Sequence, residues 1–346
     1  MQNTKIDIAD LFSNKDNTCP INIKVFGIGG GGGNATQKIS NINGVETFFI
    51  NTDLQALNSY QNKIQIGKTL TSGLGAGGDM TVGERAAEEN LEDIKSTLQG
   101  TDLLFLSAGM GGGTGTGAIS VIAQTAKDMG ILTVAVVTEP FKFEGTKRFN
   151  QAQVGIKQLE KSVDSLIVIS NEELLDLVPR QVSLGESFHL VDEVLRKSIQ
   201  GISDIITTPG VINIDFSDIK NVLKDSGRSL IGIGIAQGED RAKQACELAI
   251  TSKLLKSSYQ DAKGIIVNVA GNDVTLLEIS DIMEIINKSV NEDATIIIGS
   301  SVDKTLDRQI SVTIIATGLN SSENNSQNNI STSDNLNIED LFKINN

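Results

Sequence analysis

The sequence predicts an α/β fold: a parallel sheet covered by helices, a long central helix, and a second, smaller α+β domain. Three observations lead there. Five β-branched runs, at 21–26, 47–51, 103–107, 131–137 and 165–170, alternate with stretches of helical period, the pattern of βαβ units with parallel strands. An apolar helical stripe follows at about 186–207, where Val191, Leu195, Ile199, Ile202 and Ile206 stand three and four residues apart. Pro209-Gly210 then stops the helix, and a second set of strands at 229–236, 263–270, 295–300 and 311–317 surrounds helices near 239–251 and 275–289.

In chain order, residues 1–20 read as a polar, disordered tail, 21–185 as the first domain, 186–208 as the central helix and 209–319 as the second domain. A Ser/Asn-rich disordered linker at 320–335 and a terminal peptide at 336–346 complete the chain. Within the first domain Ala87, Leu91, Ile94 and Leu98 fall on one face of a single helix. A length of 346 residues suits two domains. With 4% aromatic residues and no Trp, the cores must be aliphatic. A formal charge of −14, without a Lys/Arg cluster, argues against nucleic acid and anionic lipid as partners. Cys19 and Cys246 are far apart, the start MQNTKIDIADLF lacks the order of a signal peptide, and no apolar run approaches the roughly 20 residues of a spanning helix. A reduced cytoplasm is the expected compartment, with no membrane span.

Three glycine-rich loops are expected at strand ends, where an open α/β sheet binds ligands. The first, GIGGGGGNA at 27–35, joins a strand to a helix, and its amides can close on phosphate oxygens beside the positive end of the helix dipole. Gly27, Gly29 and Gly32 satisfy G-x-G-x-x-G, and Asp53 follows at about the Rossmann spacing. Alone, that match favours a dinucleotide-dependent oxidoreductase. The second loop, GMGGGTGTG at 109–117, makes that reading the weaker one, because a second dense cradle suits a triphosphate held from two sides. Its Thr114 and Thr116 hydroxyls are expected to add donors. The third, GLGAGGD at 73–79, precedes a helix expected near Val82 and brings Gly77 and Gly78 toward the terminal phosphate. No G-x-x-x-x-G-K-[ST] is present, so backbone amides would do most of the holding.

The segment GGGTGTG at 111–117 resembles the signature of the tubulin/FtsZ family of GTPases, its bacterial members in particular. NTDLQAL at 51–57, PFKFEGTKR at 140–148, QGEDRA at 237–242 and VTIIATG at 312–318 are similar in the same order, so the resemblance covers about residues 21–319. It implies a Rossmann-like GTP-binding domain at 21–185 and a GTPase-activating domain at 209–319. Phosphate binding is implied for Gly29, Gly30, Gly31, Gly32, Gly33 and Asn34, and for Gly112, Gly113, Thr114, Gly115 and Thr116. Glu144 and Arg148 are expected near the ribose and phosphates, with Asn171, Phe188 and Asp192 on the guanine. Phe188 would stack on the ring. Asp192 would accept from N1 and the 2-amino group, and a carboxylate facing two donors does select guanine, since adenine leaves it unpaired. The implied ligands are GTP and GDP with accompanying Mg2+; no protein-built metal cluster is expected, and His189 is expected to be a bystander.

Asn213, Asp215 and Asp218, in NIDFSD at 213–218, can orient a water and a cation for attack on a phosphoryl group. They cannot reach their own nucleotide if some twenty helical residues, roughly 30 Å, intervene. The resemblance implies that this loop completes the active site of the neighbouring subunit, and a head-to-tail contact that does not close gives open filaments. Such filaments would form the ring at the division site. Asp215 and Asp218 speak against the alternative of a polymerising scaffold that does not hydrolyse. The same residues also read as a cap, through Ser217 or Asp218, of a helix at 217–224. Three departures from the family pattern stand out: Met80 where Pro is usual, which leaves the third loop without a fixed φ, Thr36-Gln37-Lys38 where Val-Asn-Arg is commoner, and a terminal peptide without Pro. Finally, I-x-D-L-F occurs at 8–12 and again at 338–342. Both read as short anchors for one groove on a membrane adaptor, within 5–14 and 336–346.

Overall fold

In chain order the strands are β1 (Ile23–Ile28), β2 (Val45–Asn51), β3 (Lys63–Gln65), β4 (Leu103–Gly109), β5 (Leu132–Glu139), β6 (Ser165–Ser170), β7 (Gly227–Gln237), β8 (Gly264–Gly271), β9 (Thr295–Val302) and β10 (Gln309–Thr317). The computed structural model describes residues 21–319 apart from 41, 43, 176–181, 209, 211, 253 and 256–258. Both terminal tails with their I-x-D-L-F motifs, Cys19 and Pro209 lie outside the described residues. The helices are α1 (Gly29–Gln37), α2 (Leu54–Leu57), α3 (Lys68–Thr71), α4 (Met80–Glu89), α5 (Leu91–Leu98), α6 (Thr114–Asp128), α7 (Thr146–Ser162), α8 (Asn171–Leu175), α9 (Leu184–Thr207), α10 (Phe216–Leu223), α11 (Arg241–Ile250) and α12 (Leu276–Ser289).

All ten strands form one sheet in the order β3-β2-β1-β4-β5-β6-β7-β10-β8-β9. From β3 to β7 every pairing is parallel, β10 runs antiparallel to both β7 and β8, and β9 is again parallel to β8. The two halves join where β6 pairs with the start of β7, Ser165 opposite Gly227 and Ile167 opposite Ser229.

Strand alternation decides which side chains enter which core. Val25, Phe105 and Val134 point to the face covered by α1 and α9, whereas Phe26, Leu104 and Ala135 point to the face covered by α4 to α7. A third cluster packs Ala245 and Cys246 of α11 and Ile282 of α12 on Val267 and Val312. Burial of that one described cysteine pushes its thiol up to about 12, so it behaves as a small hydrophobe. As expected, α9 buries Val191, Leu195, Ile199 and Ile202.

Two expectations are corrected. The stripe through Ala87 and Leu98 is not one helix: α4 and α5 break at Asn90, whose Oδ1 accepts from Gly67 N at 2.9 Å while its Nδ2 donates to Asp93. The helix after the second glycine pair begins at Met80 rather than near Val82, with Asp79 as its N-cap accepting from Thr81 N at 2.9 Å.

Candidate functional site

The run Gly29–Gly33, expected as a loop, is the opening of α1. Close packing requires glycine here: a Cβ on Gly32 would stand 2.1 Å from the Ser107 carbonyl oxygen, and one on Gly27 2.6 Å from Thr36 Oγ1. Gly30, by contrast, would place a Cβ in open space. The second segment turns at Gly111, φ +97°, and enters α6 at Thr114, while Gly112 between them is open. In the third segment Gly73, Gly75, Gly77 and Gly78 all have positive φ, which only glycine adopts without strain, and the last two border open space. Helix starts at α1 and α6 leave backbone N–H groups without intrahelical partners, so the cradle is built from donors.

The hydroxyls behave differently from expectation. Thr116 is fully buried and its Oγ1 accepts from Gly111 N at 2.8 Å, so it braces the loop rather than facing a ligand. Thr114 Oγ1 shares a 2.7 Å hydrogen bond with Thr52. Gln151 of α7, a half-buried helical glutamine, carries no signal in the sequence. Its Nε2 lies 3.0 Å from the carbonyl oxygen of Gly78, 3.2 Å from that of Gly111 and 2.8 Å from that of Gly112, tying the second and third segments together.

Beside this cradle, Phe188 on the first turns of α9 is 40% exposed and meets the buried Phe141 edge to face at 5.2 Å. Glu144 accepts from Phe141 N at 3.0 Å and pairs with Arg148. At the end of β6, Asn171 is 4% exposed and its Oδ1 has no partner. It shares this with the hydroxyls of Thr36, Thr101, Ser107 and Ser120 among the described residues. Asp192, one turn beyond Phe188, lies 3.6 Å from Lys38 Nζ. Burial raises its carboxyl above the ordinary value, and the nearby Lys38 and His189 oppose that rise. His189 Nδ1 and its carbonyl oxygen stand 3.3 and 3.4 Å from Lys38 Nζ.

Asn213, Asp215 and Asp218 are exposed and lie beyond the other end of α9. Asn213 Oδ1 accepts from Gly210 N at 2.9 Å, and Ile212 N donates to Ser300 Oγ at 2.9 Å, which fixes the loop against β9. The expected cap at Ser217 or Asp218 is corrected: α10 starts at Phe216 with Asp215 at the N-cap, making no side-chain cap bond, and Asp218 falls in the first turn. The expected site residues therefore form two groups, one at each end of a 24-residue helix, about 36 Å long at 1.5 Å per residue.

Family models match the chain in two stretches: the GTPase domain of the tubulin/FtsZ family over residues 22–179, and the C-terminal domain of the FtsZ family over 227–320. Among solved structures, the empty FtsZ dimer of M. jannaschii is 39% identical, with a TM-score of 0.84 over 92% of this chain and 93% of that one. A point mutant of the same organism's FtsZ is 42% identical, with a TM-score of 0.83 over 86% of this chain and 91% of that one. CetZ2 from Haloferax volcanii, solved as a GTPgS-bound protofilament, shares the fold at 19% identity, with a TM-score of 0.74 over 88% and 95%. Both FtsZ structures are archaeal, so the comparisons support the family as a whole and not its bacterial members in particular. No helix of the described residues is long and apolar enough to cross a membrane. The chain belongs to the tubulin/FtsZ family: it is a GTP-binding, GTP-hydrolysing protein that assembles with copies of itself.

Proposed function

We propose that GTP lies across the start of α1, with its phosphates on the amides of Gly29 to Gly33, Gly77, Gly78 and Gly112 to Thr116, and its base between Asn171, Phe188 and Asp192. Asn213, Asp215 and Asp218 of the next subunit complete the site, so that 21–185 binds and 209–319 activates, with 186–208 as the strut between them. The length of α9 carries this reading, because no single subunit can bring both groups to one nucleotide. Among the described residues no group of three or more His, Cys, Asp or Glu could hold a metal, and the cradle is made of donors. That set fits a Mg2+ carried on the nucleotide's phosphate oxygens, where it supplies charge neutralisation. Phosphate release should show a concentration threshold that coincides with sedimentation, and Asp218→Ala should bind GTP normally yet lose at least about a hundredfold in turnover. Full specific activity in dilute, unassembled protein would sink the shared site.

Two finer statements belong to the same proposal. The filaments form the division ring in the cytoplasm, and the peptides at 5–14 and 336–346 tether them to one membrane adaptor through I-x-D-L-F. The repeated pattern supports this, since filament assembly multiplies weak tail contacts into avidity. The two peptides should compete for one site on the adaptor; binding of both at once overturns the common groove.

A further inference from the structure

Lys38 follows the last turn of α1, and its ammonium gathers acceptors from α9. Besides Asp192 and His189 it lies 3.5 Å from Glu193 Oε1. Glu193 has a second cation, Arg196 Nε at 2.9 Å. Asp192 has no other ion pair among the described residues. Its separation of 3.6 Å from Lys38 is long for a hydrogen bond, so the charge is offset while the carboxylate's lone pairs stay available. On the far side Tyr60 stacks on Phe49, with ring centroids 3.7 Å apart, and its hydroxyl lies 3.6 Å from where a Gly33 Cβ would be. Burial raises the Tyr60 phenol, and the Asp192 charge adds to the rise, so this wall of the pocket supplies no positive charge.

We propose that Lys38 is a positioning residue for base recognition, which keeps Asp192 ionised so that it presents acceptors to a guanine. The inference rests on the base placement proposed above. A protonated Asp192 would turn an O–H donor toward the donor edge of guanine, and recognition would fail. Burial pushes toward that protonated form. The charges facing the carboxylate are Lys38 from α1, His189 and Glu193 from α9, and Tyr60 from the turn before β3. Of these Lys38 opposes protonation most strongly and His189 less so.

The test is GDP affinity by calorimetry from about pH 6 to about pH 8.5 for wild type, Lys38→Met and Lys38→Arg, read as the ratio of variant to wild type, which cancels titration of the nucleotide itself. Lys38→Met should bind more weakly than wild type, by about two- to fivefold near pH 6, and approach it near pH 8.5, the direction expected if its Asp192 titrates higher once the ammonium is gone. Lys38→Arg should restore the wild-type profile. A Lys38→Met ratio that does not change with pH, whether the protein is weakened uniformly or not at all, overturns the proposal. Asp192→Ala provides the separate control. If it keeps the preference for GDP over ADP, the base placement itself is wrong; if it loses that preference while the Lys38→Met ratio stays flat, only the role of Lys38 fails.

Discussion

At Asn171 a ligand role and a structural role predict opposite outcomes. A buried amide that served the fold would be hydrogen-bonded, and losing it would cost stability. The Oδ1 of Asn171 is buried and unpaired, so the fold gains no hydrogen bond from it. Asn171→Leu should therefore leave the melting temperature unchanged or raise it slightly, while GTP affinity falls about tenfold, the roughly 1–2 kcal/mol of one buried hydrogen bond. A large loss of stability at unchanged affinity would make Asn171 a structural residue. Arg241 is the opposite case. In the QGEDRA segment it bonds Asp273 at 2.9 Å and Glu278 at 2.7 Å, fastening α11 to α12 far from the cradle. Its place in a recognisable motif reflects packing.

The elements around the cradle are positioned by their first residues. Met80 occupies the first helical position of α4, preceded by Asp79 in an extended conformation at φ −95°, ψ 116°. Both geometries suit a proline at position 80: its missing N–H falls among the unpaired amides of a helix start, and the preceding residue is already out of the helical region. The Asp79 cap to Thr81 fixes the segment here instead. Met80→Pro should accordingly stabilise the protein by about 0.4–1 kcal/mol in urea unfolding, with GTP turnover unchanged. Destabilisation would show that the Met80 side chain or its N–H contributes more than the backbone geometry reveals. The break between α4 and α5 has a comparable local cause. A period of 3.6 continues through Asn90, but an amide that can bond both Gly67 and Asp93 competes with the helical ladder.

At the scale of the whole molecule, α9 is the element on which both halves rest, and it carries charge into the contact. Burial raises Asp204 to about 7, and the Asp303 charge adds to the rise, while the hydrogen bond with Gln200 and the charge of Arg196 oppose it. Lys197, about two turns earlier on nearly the same face of α9, is pushed down to about 8, again chiefly by burial. For Asp204 the native state binds the proton more tightly than the unfolded chain, so its contribution to stability falls as pH rises from about 4 to about 7. Lys197 acts in another window, adding stability as pH rises above about 8 toward its ordinary value. Calorimetric unfolding should show wild type losing stability relative to Asp204→Asn by up to about 1.4 kcal/mol per pH unit across the lower window. A difference independent of pH would mean that Asp204 stays charged in the folded protein.

Strand and helix order, the glycine segments and the long helix were legible in the sequence because each depends on local chemistry: alternation, a 3.6 period, and the freedom of glycine at positive φ. Segment 165–170 is a strand to the residue, and the family signature at 111–117 marks the right turn. What the sequence left open was decided by contacts between residues far apart in it. The inward turn of Thr116, the Gln151 tie, the Lys38 reach to Asp192 and the joining of both halves into one sheet at Ser165 and Gly227 have no local pattern. Each joins residues that only the fold brings within a few ångströms of each other. A hydroxyl or an ammonium of given type has many possible partners, and burial, which depends on the whole chain, selects among them.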